Sequence, residues 1–278
     1  MFQRQRRTGS ILCPSCGKLV GVSDEVCLNC GRKNPGMWGL SSLFAGIGKG
    51  QGLVQVVIGG TMFLYLAMLA VDPGNIGMGS LWALGAPSQE SIVRFGASGA
   101  APVFGLGRWW TILSAGWLHG SLLHIAFNLY WIRFLAPETA ELYGVSRTVI
   151  LYTLSSAFAF AATSTLGLYG LGGAFLTVGA SAPISGLVGA LVHYGRRTGS
   201  SLILRQAWSY AIMTIVIGFV LPRADNVAHV GGFIGGYLAS LLLDPMKPER
   251  GNHTVAAVVC LAATAASILA SLVIPIGR

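Results

Sequence analysis

The sequence predicts an all-α polytopic membrane protein preceded by a small cysteine-rich head, and three observations carry that expectation. Of 278 residues, 53% are hydrophobic and only 10% charged, against about 25% charged in an ordinary soluble domain. Seven apolar stretches are long enough, or nearly so, to cross a hydrocarbon core about 30 Å thick, which takes roughly 20 residues at 1.5 Å each. Four of the five cysteines crowd between positions 13 and 30, which points to metal rather than disulfides and to a reducing compartment. The first observation excludes a water-solvated globular enzyme. The net charge of +9 would suggest nucleic acid in a soluble chain. Here the arginines flank apolar runs, where they set membrane orientation, so no nucleic-acid partner is expected.

The head, residues 1–36, comes first. Cys13-Pro14-Ser15-Cys16-Gly17 and Cys27-Leu28-Asn29-Cys30-Gly31 form two C-x-x-C-G knuckles around a short polar spacer. Each tight turn aims two thiolates at one point, its glycine letting backbone amides approach the sulfur, and four sulfurs at tetrahedral corners suit zinc. The unit resembles a zinc ribbon. It is too small to bury a core, so the metal would supply its folding energy. A closed four-cysteine site leaves no open position for chemistry, so its expected role is structural or docking, with a cytoplasmic protein as partner. The opening MFQRQRR lacks an apolar core, so it is not read as a signal peptide. A linker is expected at 37–52.

The spans follow in order: Leu53–Val71, Ser121–Ala136, Thr148–Leu166, Ser181–Gly195, Ala207–Leu221, Val227–Leu243 and Val255–Ile274. A Gly-, Ala- and Pro-rich connection at 72–118, ending in Arg108-Trp109-Trp110, is too long and apolar for an ordinary loop and reads as an outer interfacial segment. Arg4, Arg6, Arg7, Lys18, Arg32, Lys33, Lys49, Arg133, Arg147, Arg196, Arg197, Arg205, Lys247 and Arg250 fall on one side. Only Arg94, Arg108, Arg223 and Arg278 fall on the other. That asymmetry predicts a cytoplasmic N-terminus and an outside C-terminus; the expected location is a bacterial cell membrane. Cys260, alone in the last span, reads as a core residue.

Polar residues inside spans are costly and therefore informative. The second span opens with His119 and Gly120 and carries His124 and Asn128 four apart on one helical face. The fourth opens with Gly179-Ala180-Ser181, and the sixth contains Ala228-His229-Val230-Gly231-Gly232. In the seven-span topology all three clusters fall toward the outer leaflet. A serine hydroxyl becomes a nucleophile when an imidazole takes its proton, and His124 and Asn128 can donate hydrogen bonds to the oxyanion of acyl transfer.

At this point the chain resembles the rhomboid family of intramembrane serine proteases. The matching text is RWWTILSAGWLHGSLLHIAFN at 108–128, then Gly-Ala-Ser ending at Ser181, then Ala228-His229-Val230-Gly231-Gly232, in family order. The resemblance implies a rhomboid-like six-helix bundle over 53–243, with a seventh helix and tail over 244–278. It implies Ser181 as nucleophile and His229 as general base and later acid. His124 and Asn128 would line the oxyanion hole with the Ser181 amide, while His119 and Gly179 shape the site. Expected substrates are single-span membrane proteins in the lipid bilayer, cut in or beside their transmembrane segment. No cofactor is expected for catalysis, and zinc only in the ribbon, on Cys13, Cys16, Cys27 and Cys30.

Ala182 and Ser185 stand where the family commonly has glycine and an aromatic ring, and they motivate an alternative: an inactive rhomboid-like protein that holds membrane clients. Ser98, in Gly96-Ala97-Ser98-Gly99, is a decoy nucleophile, because no long helix follows it; Ser185, one turn below Ser181, is another alternative. Asp225, four before His229, reads as a solvated loop residue rather than a triad acid. A metal on His119 and His124 is disfavoured, having no third ligand nearby. A transporter is disfavoured too, for want of an inverted repeat or membrane carboxylate.

Overall fold

The computed structural model describes residues 10–13, 15–21, 23–36, 51–221 and 224–276. The expected linker lies outside the described residues except for Gln51 and Gly52, which open the first helix. The first nine residues of the head lie outside them as well, as do Lys49, Arg223 and Arg278 from the charge asymmetry.

In the head, β1 (Ser10–Leu12) pairs antiparallel with β2 (Leu19–Gly21), Ile11 opposite Val20. The first knuckle is the turn between them: the Cys13 amide donates to Lys18 O at 2.7 Å and the Gly17 amide to Cys13 O at 2.8 Å. The second knuckle repeats this, Cys27 donating to Arg32 O and Gly31 to Cys27 O, both at 2.8 Å. Gly17 and Gly31 have φ of 72° and 70°, a region where a side chain costs roughly 1–2 kcal/mol. Each glycine is therefore required by the turn's own conformation.

Seven long helices follow among the described residues, at positions close to the seven expected spans. They are α1 (Gln51–Val71), α4 (Leu122–Tyr143), α5 (Val145–Leu168), α6 (Ser181–Thr198), α7 (Ser201–Val220), α8 (Asn226–Leu242) and α9 (Gly251–Val273). The short α2 (Gln89–Phe95) and α3 (Thr111–Ser114) lie in the connection after α1. Helices α1, α5, α7 and α9 are long and apolar enough to cross a membrane on those grounds alone. Of the other three, α8 is apolar but only 17 residues long, while α4 contains Arg133, Glu138 and Glu141 and α6 ends in Arg196 and Arg197. The apolar run of the second span stops at Ala136, yet α4 continues through Pro137 to Tyr143. One face of its end, Thr139, Ala140 and Tyr143, is buried, and the Tyr143 hydroxyl donates to Ala190 O at 2.9 Å.

Helix α6 is buried along most of its length and packs against α4, α5, α7 and, above all, α8. Small residues allow this. A methyl group on Gly232 would strike the Ala182 carbonyl, and one on Gly236 the Gly186 carbonyl. The two backbones thus touch, which places the first turn of α8 beside the first turn of α6. Helix α7 is peripheral, burying only Ala207, Ala211 and Gly218. Helix α9 closes the far side: Ser267 Oγ donates to Trp110 O at 2.6 Å, and Trp110 Nε1 to Ser271 Oγ at 3.0 Å. The buried Arg108 donates to the Val93 and Ser271 carbonyls, so the connection after α1 is a folded layer with Trp109 exposed at its edge.

Candidate active site

Ser181 is the first residue of α6, and His229 stands in the first turn of α8. Their side chains meet, Ser181 Oγ lying 2.9 Å from His229 Nε2, with the imidazole buried. Two sequence-distant residues on separate helices thus share one hydrogen bond. The segment leading into Ser181 is fixed from three directions. Thr177 and Ser98 exchange backbone hydrogen bonds at 3.1 and 2.8 Å, the Gly179 amide donates to Ala115 O at 3.0 Å, and the Ala180 amide donates to His119 Nε2 at 3.5 Å.

Gly179 has φ of 141°, and a methyl there would lie 2.7 Å from His124 Nε2 and 3.5 Å from Ser181 Oγ. Only a glycine fits between the ring and the hydroxyl. His124 Nδ1 accepts the Gly120 amide at 3.4 Å, so in the neutral ring Nε2 carries the proton and faces the Ser181 side as a donor. The first amides of α6 have no partner within the helix, and the helix N-terminus favours negative charge there. The Asn128 amide lies one turn deeper, buried, and donates back to His124 O at 3.0 Å. The rings of His119 and His124 pack edge to face at 4.9 Å between centroids.

The structure thus gathers Ser181, His229, His124, His119 and Gly179, with Asn128 behind His124. Ser98 is fully buried, its hydroxyl 3.3 Å from that of Ser164. The Ser185 hydroxyl donates to Ser181 O at 2.8 Å, and a cavity of about 100 Å³ opens beside it, lined by His229, Val188, Trp208, Ala211 and Phe233. Asp225 corrects an expectation: it is no solvated loop residue. Its Oδ1 accepts the Ala228 amide at 2.9 Å as the cap of α8, and its Oδ2 accepts the Thr163 hydroxyl at 2.8 Å. An aspartate just before a helical run was the available signal. Nothing in the sequence marked Thr177 or the Ala115 carbonyl.

In the head, the sulfurs of Cys13, Cys16, Cys27 and Cys30 all lie within 4.8 Å of one another. Cys13 to Cys30 and Cys16 to Cys27 are both 3.7 Å. A tetrahedral ion with bonds of about 2.3 Å sets its sulfurs roughly 3.8 Å apart, so the donor set and its spacing fit such an ion. The Lys18 amide holds the Cys16 thiol down to about 6. Cys30, despite the Arg32 amide that lowers it, is pushed up to about 12 by desolvation and its cysteine neighbours. Four thiolates resist ionising together, and a cation at their centre removes that resistance.

A family model described as the rhomboid domain matches residues 106–245. The chain is 29% identical over 183 residues to the rhomboid protease GluP of Bacillus subtilis, covering 64% of this chain and 34% of that protein. It is 27% identical over 168 residues to RHOMBOID-like protein 7 of Arabidopsis thaliana, covering 56% of this chain and 50% of that one. The putative rhomboid protease YdcA of Bacillus subtilis is 28% identical over 156 residues, covering 52% and 72%. The chain thus spans a third to a half of the length of the first two. The matched domain begins just before Arg108 and ends just after α8, leaving the head, α1 and α9 outside it. Half of the chain, including every residue of the serine and histidine cluster, lies in that domain, and the protein is an integral membrane protein of the rhomboid family.

Proposed function

We propose that the protein is an intramembrane serine endopeptidase working through a Ser181–His229 dyad, and the 2.9 Å contact between Ser181 Oγ and His229 Nε2 carries that reading. His229 Nε2 takes the hydroxyl proton as Oγ attacks the scissile carbonyl, then delivers it to the departing amine. The oxyanion receives hydrogen bonds from the Ser181 amide, from His124 Nε2–H and from the free amide proton of Asn128. Water, deprotonated in turn by His229, attacks the acyl-enzyme and restores the serine. The substrates are single-span membrane proteins, cut in or beside the transmembrane segment. Helix-breaking residues near the bond favour cleavage, because a helical peptide bond must unwind before attack.

In this reading the N-terminus faces the cytoplasm and the dyad lies toward the outer leaflet of a bacterial membrane. Cys13, Cys16, Cys27 and Cys30 hold a structural zinc ion, and the ribbon so formed docks a cytoplasmic partner. In purified protein reconstituted into vesicles, Ser181→Ala and His229→Ala are each expected to lower cleavage by at least about 10³-fold, while Ser98→Ala retains most of it. A fluorophosphonate probe is expected to label Ser181 durably in the unsubstituted protein. Full cleavage by Ser181→Ala would overturn the dyad. Absent labelling with client binding intact would return the chain to the inactive alternative.

A further inference from the structure

Two buried polar atoms beside the dyad have no partner among the described residues: His229 Nδ1 and Asn226 Oδ1. They border one notch. A methyl group on Gly218 of α7 would strike Asn226 Oδ1 and lie 3.1 Å from His229 Nδ1, so both atoms edge the space that the absent side chain leaves. Their chemistry is complementary. With Nε2 accepting the Ser181 hydroxyl, the neutral ring carries its proton on Nδ1, which makes that atom a donor, whereas an amide oxygen only accepts. A buried donor and a buried acceptor left unpaired each carry a desolvation penalty, and joining them removes both. Asp225 is not available for the task, since both its carboxylate oxygens are engaged by Ala228 and Thr163.

We infer that Asn226 is the positioning residue for His229. Its side-chain oxygen accepts the Nδ1–H, directly after a small rotation or through one water held in the Gly218 notch. That bond fixes the tautomer that leaves Nε2 free to take the serine proton, and it holds the ring plane toward Ser181. Asn226 is the first residue of α8 and His229 the fourth, so one helical turn aligns acceptor and base on the same face. Gly218 belongs to the device because any larger residue would fill the space in which the two atoms meet. The inference rests on the dyad proposed above.

The test joins imidazole ¹⁵N spectroscopy of histidine-labelled, reconstituted protein to cleavage kinetics, with His229→Gln assigning the signal. In the unsubstituted protein His229 is expected as the Nδ1–H tautomer. Asn226→Leu is expected to mix the tautomers and lower kcat about tenfold with KM within about twofold. Asn226→Asp keeps an acceptor at the same atom, and is expected to restore the tautomer and most of kcat. Gly218→Ala touches neither side chain covalently and is expected to behave like Asn226→Leu, which keeps the test in hand if the leucine variant fails to fold. A residue that served only to start the helix would leave the tautomer unmoved in all three. An unchanged Nδ1–H signal and kcat in folded Asn226→Leu and Gly218→Ala would overturn the inference. If the unsubstituted protein cuts nothing, the dyad reading fails, and the spectra alone still decide the Asn226 contact.

Discussion

Glycine does opposite work in the head and in the α6–α8 contact. Gly17 and Gly31 have positive φ, and a methyl group on either would meet nothing within 4 Å. They are there for a backbone conformation that other residues resist. Gly232 and Gly236 lie in ordinary helix, and a methyl group on either would strike a carbonyl of the facing helix. They are there for space. The difference reflects what holds each region together. The hydrophobic cluster of the head is little more than Cys13, Val20 and Cys27, and in the reading proposed above it depends on the ion its four sulfurs hold. The helix pair depends on backbone-to-backbone packing, which sets the distance between Ser181 and His229.

The largest expected effect breaks this comparison at the head. Structural zinc contributes about 10–16 kcal/mol in small cysteine domains, so a strong chelator is expected to unfold residues 10–36, read as rapid proteolysis there. The Ser181–His229 contact should not notice. The head meets the membrane helices at Pro248, Glu249, Arg250 and Thr254, across a cavity of about 440 Å³, and at Gly251, on which the Arg32 guanidinium packs, rather than at Ser181 or His229. Fluorophosphonate labelling of Ser181 is expected to stay within about twofold on chelation. A labelling rate that fell in step with metal loss would show one cooperative unit and end the separation drawn above.

Next in size is the packing side. Gly236→Ala forces a methyl group against the Gly186 carbonyl. Overpacking typically costs about 1–3 kcal/mol, and here the obstacle is backbone, which cannot rotate away. Separating α8 from α6 by a fraction of an ångström also lengthens the Ser181–His229 contact, and a misplacement of about 1 Å can cost about 10²-fold in rate. The expected result is a lower melting temperature together with a disproportionate loss of cleavage. Unchanged cleavage in Gly236→Ala would mean that the close approach does not set the dyad.

Much of this architecture was legible in the sequence. Apolar length located seven helices, because a bilayer permits few alternatives to a helix there. The cysteine spacing located the head's sulfur cluster, because two matched turns converge on one point. Ser181 and His229 stood out as polar residues at span openings. What stayed hidden has a common cause. The Ala115 carbonyl that holds Gly179 and the Thr177–Ser98 bridge are backbone features, which leave no trace in residue type, and Gly218 shows only as a glycine, with nothing to say that Asn226 and His229 border the space it leaves. The second span was read to Ala136 because its apolar run stops there; α4 continues through Pro137, Glu138 and Glu141 to Tyr143, whose hydroxyl is held by the Ala190 carbonyl, a contact that apolarity does not mark. Asp225 was misjudged for a related reason: its role depends on Thr163, 62 residues away.

The smallest expected effect separates the two uses of glycine most sharply. Gly31→Ala is free of collisions, so its cost comes only from forcing an L side chain into a φ of 70°, about 1 kcal/mol. Through the coupling of metal binding to folding, that loss is expected to weaken zinc affinity about fivefold, measured by competition with a chromophoric chelator. Asparagine tolerates the left-handed region better than alanine does, so Gly31→Asn is expected to bind zinc more tightly than Gly31→Ala although its side chain is larger. At Gly236 the order must invert, because there size alone matters and Gly236→Asn should be worse than Gly236→Ala. The same order at both positions would mean that conformation and space are not the separate demands that the two regions place on the same residue type.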